Sequence, residues 1–152
     1  MKVFSPEDVP EQMGSSYPAQ FKPIAEQRRK RKVGDFGGLN NFGVNLVTLP
    51  PGAGSALRHW HSLQDELVTI ISGELVLITD AGEQIMTPGM FAAFPAGNPD
   101  GHQLVNKSDN DAVYIEVGDR TEGDEVDYPD DDLLRRMHEG EGRFVNKQGE
   151  PY

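Results

Sequence analysis

Between residues 43 and 118 the chain is cut into short apolar runs of four to six residues, each closed by turn-forming residues. Val44–Leu49 ends at Pro50-Pro51-Gly52, Leu67–Ile71 at Ser72-Gly73, and Glu74–Thr79 at Asp80-Ala81-Gly82. Glu83–Met86 stops before Pro88-Gly89, Met90–Phe94 before Pro95-Ala96-Gly97, and His102–Val105 before Ser108–Asp111, after which Ala112–Val117 follows. None is long enough for a stable helix, and several are rich in β-branched and aromatic residues. That rhythm predicts an all-β antiparallel sandwich or barrel over 43–118. The 17 glycines and 11 prolines, 28 of 152 residues, favour many turns in the same way.

The flanks read differently. Residues 1–42 form a Pro-rich N-terminal arm, in which Ser5-Pro6-Glu7-Asp8 can cap a short helical turn. The arm carries the basic run Arg28–Lys32, either a contact for an anionic partner or a segment that is solvated or paired with the chain's own acids. Residues 119–152 hold a dense acidic segment to Asp132, then a short C-terminal helix expected from Leu133 to Glu139, stopped by Gly140 and Gly142, and a polar tail. This part is expected to pack on or beside the barrel. The spacing of a calcium-binding loop is missing from the acidic stretch.

Charge and composition exclude several functions. With 14 basic and 25 acidic residues the net charge is −11, so nucleic acid and anionic membrane are not expected partners. Without cysteine there is no thiolate metal site, disulfide or Cys nucleophile. No apolar run approaches a membrane span, and the first residues do not read as a signal peptide, so a cytoplasmic protein is expected.

Three of the four histidines fall into two short stretches. In His59-Trp60-His61 the two imidazoles lie on one face of a strand and Trp60 on the other. A hairpin can return Glu66 beside them, whereas Asp65 has the opposite parity. His102 must come from a distant strand, which a closed or sandwiched sheet can deliver. An outward Trp60 calls for a cover, by the arm or by a second subunit, and suggests a homodimer.

The joint pattern resembles the cupin superfamily, in particular small single-domain bacterial-type members with an RmlC-like jelly roll. The family's first motif, G-x5-H-x-H-x3,4-E-x6-G, is matched at His59, His61, Glu66 and Gly73, and its second, G-x5-P-x-G-x2-H-x3-N, at Gly89, Pro95, Gly97, His102 and Asn106. The leading glycine is displaced by one residue, and four residues instead of two separate Gly97 from His102; both departures lie in turns. The resemblance implies a double-stranded β-helix, the jelly-roll barrel. It implies that His59, His61, Glu66 and His102 bind one divalent transition metal ion: iron, manganese, zinc, nickel or copper. It also agrees with a homodimer. Tyr114 and Glu116 share one strand face. If that face looks into the barrel, they can orient a substrate or act as acid and base.

Such a site fits a small-molecule substrate and three kinds of function. One is Lewis-acid chemistry by an isomerase, epimerase, lyase or decarboxylase, with sugar-phosphate isomerisation among the cases. Another is an iron or copper dioxygenase. The third is a non-catalytic binding protein. Phosphate recognition wants converging cations, and the motif core offers only Arg58, Lys107 and, near the mouth, Arg120.

Overall fold

The computed structural model describes residues 2–152. Its framework is a run of antiparallel pairings between residues far apart in sequence. The arm contributes strands β1 (Glu11–Met13) and β2 (Arg29–Arg31), followed by a one-turn helix, α1 (Val33–Gly37). Strand β3 (Phe42–Leu49) opens the core, followed by β4 (Trp60–His61), β5 (Glu66–Ser72), β6 (Leu75–Thr79) and β7 (Gly82–Met86). Next come β8 (Phe91–Phe94), β9 (Gln103–Val105) and β10 (Ala112–Asp119). The chain ends with β11 (Val126–Tyr128), β12 (Leu133–His138) and β13 (Glu141–Val145).

One sheet has the order β1-β2-β3-β10-β5-β8. The facing layer is built from β13-β12-β11-β4 and β7-β6-β9, tied together where His59 pairs with His102. Inward residues alternate as a half-buried strand requires. Val47 and Leu49 from β3, Val68 and Ile70 from β5, and Tyr114 from β10 meet Leu75, Leu77, Met86 and Leu104 in one buried cluster. The all-β jelly roll read from the sequence is the fold observed. Among the described residues no helix is long and apolar enough to cross a membrane.

The tight turn that carries the chain from β5 in one layer to β6 in the other depends on Gly73. Its φ is +75°, and a Cβ there would stand 2.7 Å from Ala112 Cα and from the Asp111 carbonyl oxygen. Asn106, wholly buried, ties down the β9–β10 connection. Its amide donates to the carbonyls of Leu49 and Asn110, each at 2.7 Å, and its carbonyl accepts from the Ser108 backbone at 2.9 Å.

Both flanks add to the sheets. Ser5–Asp8 forms the expected capped turn, with the Ser5 backbone N–H donating to the Asp8 carboxylate at 2.8 Å. The basic run pairs with the chain itself: Arg29 with Asp111, Arg31 with Glu11 at 3.0 Å, and Lys30 with Glu116 at 2.6 Å.

The helix expected from Leu133 to Glu139 is absent. That segment is strand β12, paired with β11 and with β13. Leu133 is completely buried, and Glu139-Gly140, with φ of 52° and 84°, makes the two-residue turn into β13. Seven residues alone cannot sustain a helix, and neighbouring strands on both sides satisfy the backbone instead.

Candidate metal centre

Four side chains converge at the centre of the barrel. His59 and His61 come from the edge of the second layer, Glu66 starts β5, and His102 precedes β9. The ligand atoms of His59, His61 and Glu66 lie within 4.8 Å of one another. Around Glu66 Oε2 stand His102 Nε2 at 3.0 Å, His61 Nε2 at 3.5 Å and His59 Nε2 at 3.7 Å. None of these approaches has hydrogen-bond geometry, so Oε2 is buried without a partner. A buried carboxylate oxygen facing three imidazole nitrogens is costly to leave unsatisfied, and the His59-His61-Glu66 cluster, with His102 beside it, is one that a divalent cation would satisfy.

The local fold prepares this set. His59 Nδ1 is 2.8 Å from the Leu57 carbonyl, and His61 Nδ1 is 2.6 Å from Asp124 Oδ2. An acceptor at Nδ1 holds the proton there and leaves the Nε2 lone pair free, as metal-ligating imidazoles require. His102 is held by packing: its ring stacks on Phe94, with centroids 3.6 Å apart and planes 4° from parallel. The turn Pro95-Ala96-Gly97 docks alongside, with the Gly97 N–H donating to the His61 carbonyl at 2.8 Å. Asp65, on the opposite parity from Glu66, accepts from the Ala96 N–H at 2.7 Å.

The electrostatics follow from burial and mutual proximity. Burial pushes the Glu66 carboxyl up, but His102, His59 and His61 outweigh it and hold the group well below the usual carboxylate range. Burial pulls His59 down, yet the Glu66 carboxylate more than offsets it and the net shift is upward. For His102 burial prevails over Glu66, and its pKa is lowered.

Tyr114 and Glu116 face the interior. Both line a cavity of about 320 Å³ together with the three histidines and Glu66. Glu116 accepts from Asn45 Nδ2 at 2.9 Å and from the Tyr114 hydroxyl at 3.3 Å. Burial, reinforced by Glu116, raises the Tyr114 phenol well above its ordinary value, so it remains a proton donor. Trp60 is half-buried and lines a second cavity on the other side of His61, with Leu77, Gln84 and Phe94.

Sequence reasoning missed two groups. Asp124 is 4% exposed and accepts from the Leu63 N–H at 2.9 Å and the Gln64 N–H at 3.2 Å, as well as holding His61. One buried carboxylate in a run of solvated ones carries no sequence signal. The cations on the cavity wall are Arg28, Lys30 and Arg135, all from outside the motif core; Arg58 is instead paired with Asp80 and Asp130.

A two-layered antiparallel jelly roll with imidazoles and a carboxylate gathered at its centre defines the double-stranded β-helix proteins with an internal His/Glu site. The chain belongs to the cupin superfamily: the cupin domain family model matches residues 45–118. A sugar phosphate isomerase of that superfamily from Silicibacter pomeroyi is 42% identical, with a TM-score of 0.94 over 99% of this chain and 96% of that one. A candidate sugar phosphate isomerase from Acidithiobacillus ferrooxidans is 29% identical, with a TM-score of 0.74 over 80% of this chain and 78% of that one. The polyketide cyclase RemF from Streptomyces resistomycificus, 19% identical, shares the fold, with a TM-score of 0.67 over 92% of this chain and 89% of that one. No curated protein matches the sequence.

Proposed function

We propose that this cupin is a divalent-metal-dependent isomerase of a small phosphorylated sugar. The observation that carries the reading is Glu66 Oε2, buried without a partner and faced by three imidazole nitrogens at 3.0–3.7 Å. The 42% identity to a sugar phosphate isomerase along nearly the whole chain supports the substrate class.

His59, His61, Glu66 and His102 would hold the ion. When bound, it supplies Lewis-acid polarisation of a carbonyl or hydroxyl oxygen. The chain's own residues carry the proton. Glu116 takes it from the carbon next to the carbonyl and returns it to the former carbonyl carbon, while the hydroxyl proton of the first carbon passes to the former carbonyl oxygen, so the net change is an aldose–ketose shift with no other reactant. The Tyr114 hydroxyl, donating to Glu116, holds that carboxylate toward the cavity. Lys30 and Asn45 fix it from the other side.

The test is proton NMR in deuterium oxide. Protein reconstituted in turn with manganese, nickel, zinc and iron is offered a panel of aldose and ketose phosphates. Exchange of the proton next to the carbonyl, with interconversion of the two sugars, is the expected result, and Glu116→Gln abolishes both. No exchange with any metal refutes the reading. Oxygen uptake by the iron form would instead mark a dioxygenase.

A further inference from the structure

We infer that Arg135, laid across Gly142 and joined by Arg28, seats the phosphate of the substrate at the end of the cavity remote from the imidazoles. This deepens the isomerase reading and rests on it for the substrate class. The observations behind it are separate.

The first is charge. In a chain of net charge −11, most arginines have found a carboxylate. Arg29, Arg31, Arg58, Arg120, Arg136 and Arg143 all pair with Asp or Glu. Among the described residues Arg135 is the one arginine whose side chain makes neither an ion pair nor a hydrogen bond, although it is half-buried and lines the cavity. Arg28 lines the same wall and donates only to neutral carbonyls, one of them Gly14 at 3.0 Å. Lys30 is neutralised by Glu116. The wall therefore carries two guanidinium charges without a counter-ion, which is what a dianionic phosphate complements.

The second is unsatisfied donors. Ser15 Oγ and Arg28 Nε, both from residues on this wall, are buried with no partner. Each has a proton to give. A sugar phosphate, mostly dianionic at neutral pH and so mostly acceptor, would supply what both lack once their donors turn from the closed wall into the cavity.

The third is register. His61 is opposite Val126, Val126 opposite Arg135, and Arg135 opposite Phe144, so these four side chains share the inner face of one sheet. Arg135 is thus two strands from His61, roughly 10 Å between backbones. That separation leaves room for a short carbon chain, with its carbonyl end at the imidazoles and its phosphate at the far end. Gly142 sets the guanidinium in place: a Cβ there would stand 2.2 Å from Arg135 Cζ, so any side chain displaces it.

Inorganic phosphate binding, followed by calorimetry on the purified protein without added metal, tests the inference. Wild type should bind phosphate, and the His59→Ala, His102→Ala double variant should bind it as well as wild type. Arg135→Gln should weaken it roughly ten- to a hundredfold. Gly142→Ala keeps every charge and only pushes the flexible end of Arg135 aside, so it should weaken phosphate binding with the fold intact by circular dichroism. Absence of phosphate binding by wild type overturns the seat. So does loss in the double-histidine variant alone, which would place phosphate at the histidines, and so does acetate competing on equal terms. In each of these cases proton exchange on the sugar panel still tests the isomerase reading separately.

Discussion

Asp124→Asn isolates the support of the proposed metal centre from its proposed ligands. In the native chain the buried Asp124 carboxylate receives His61 Nδ1 at 2.6 Å and the Leu63 and Gln64 backbone N–H groups at 2.9 and 3.2 Å. Both backbone bonds go to Oδ1 and the imidazole bond goes to Oδ2. An asparagine keeps the shape, and its carbonyl oxygen keeps the two backbone donors. Its NH2 then faces His61 Nδ1. Two donors cannot meet, so the ring shifts its proton to Nε2, the nitrogen that should point a lone pair at the metal. Loss of such an outer partner lowers metal affinity about 10- to 100-fold, about 1.4–2.7 kcal/mol. Asp124→Ala adds a stability cost, because two part-buried backbone N–H groups lose their acceptor, about 1–3 kcal/mol in all since water reaches this loop. The assay is competition with a chelator of known affinity for zinc or manganese, alongside thermal unfolding of the metal-free forms. Asp124→Asn should weaken metal binding while the metal-free melting temperature hardly moves. Unchanged affinity in a folded Asp124→Asn variant would refute the idea that Asp124 sets the His61 tautomer.

Further outcomes follow from the same packing. Gly73→Ala places a Cβ against Ala112 in a left-handed turn and should cost about 2 kcal/mol or more, read as a lower urea midpoint. Burial raises Tyr17 and Tyr128, as well as Tyr114, above the ordinary phenol value of about 10. Because the unfolded chain loses these protons first, stability is full below about pH 10 and falls as pH rises through and beyond it, so phenolate absorbance from these three should appear only with unfolding. The outer face of β5 and β8 exposes Leu67, Ile71 and Phe91, the last 68% exposed; sedimentation should show a homodimer, and Phe91→Glu a monomer.

Much of the fold is legible in the sequence because its signals are local. The alternation in Val44–Leu49 and Ala112–Val117, and the turns at Gly73, Gly89 and Pro95–Gly97, follow from neighbouring residues alone. The His59/His61 parity is equally local, but the expected hairpin return of Glu66 is not what the structure shows: β4 pairs with β11 and β5 with β10 and β8, so Glu66 meets the histidines across the two layers. Leu133–Glu139 misleads because Leu133 and Met137 suit a helix while Leu133, Arg135 and Met137 suit a strand. The choice is made by β11 and β13, which no short window contains. The same ambiguity conceals Arg135, since on a helix it would face solvent. Asp124 is hidden for another reason: its partner His61 lies 63 residues away, and seven other acids crowd the same segment.

Everything proposed for the chemistry of this barrel rests on His59, His61, Glu66 and His102 holding a divalent metal. Elemental mass spectrometry reads that out directly, on untagged protein purified without added metal and on the His59→Ala, His102→Ala variant. Close to one iron, manganese, zinc, nickel or copper ion per chain is expected in the native protein and none in the variant. An absence of metal from both, persisting after reconstitution with each ion in turn, would show that these four side chains do not form a metal site.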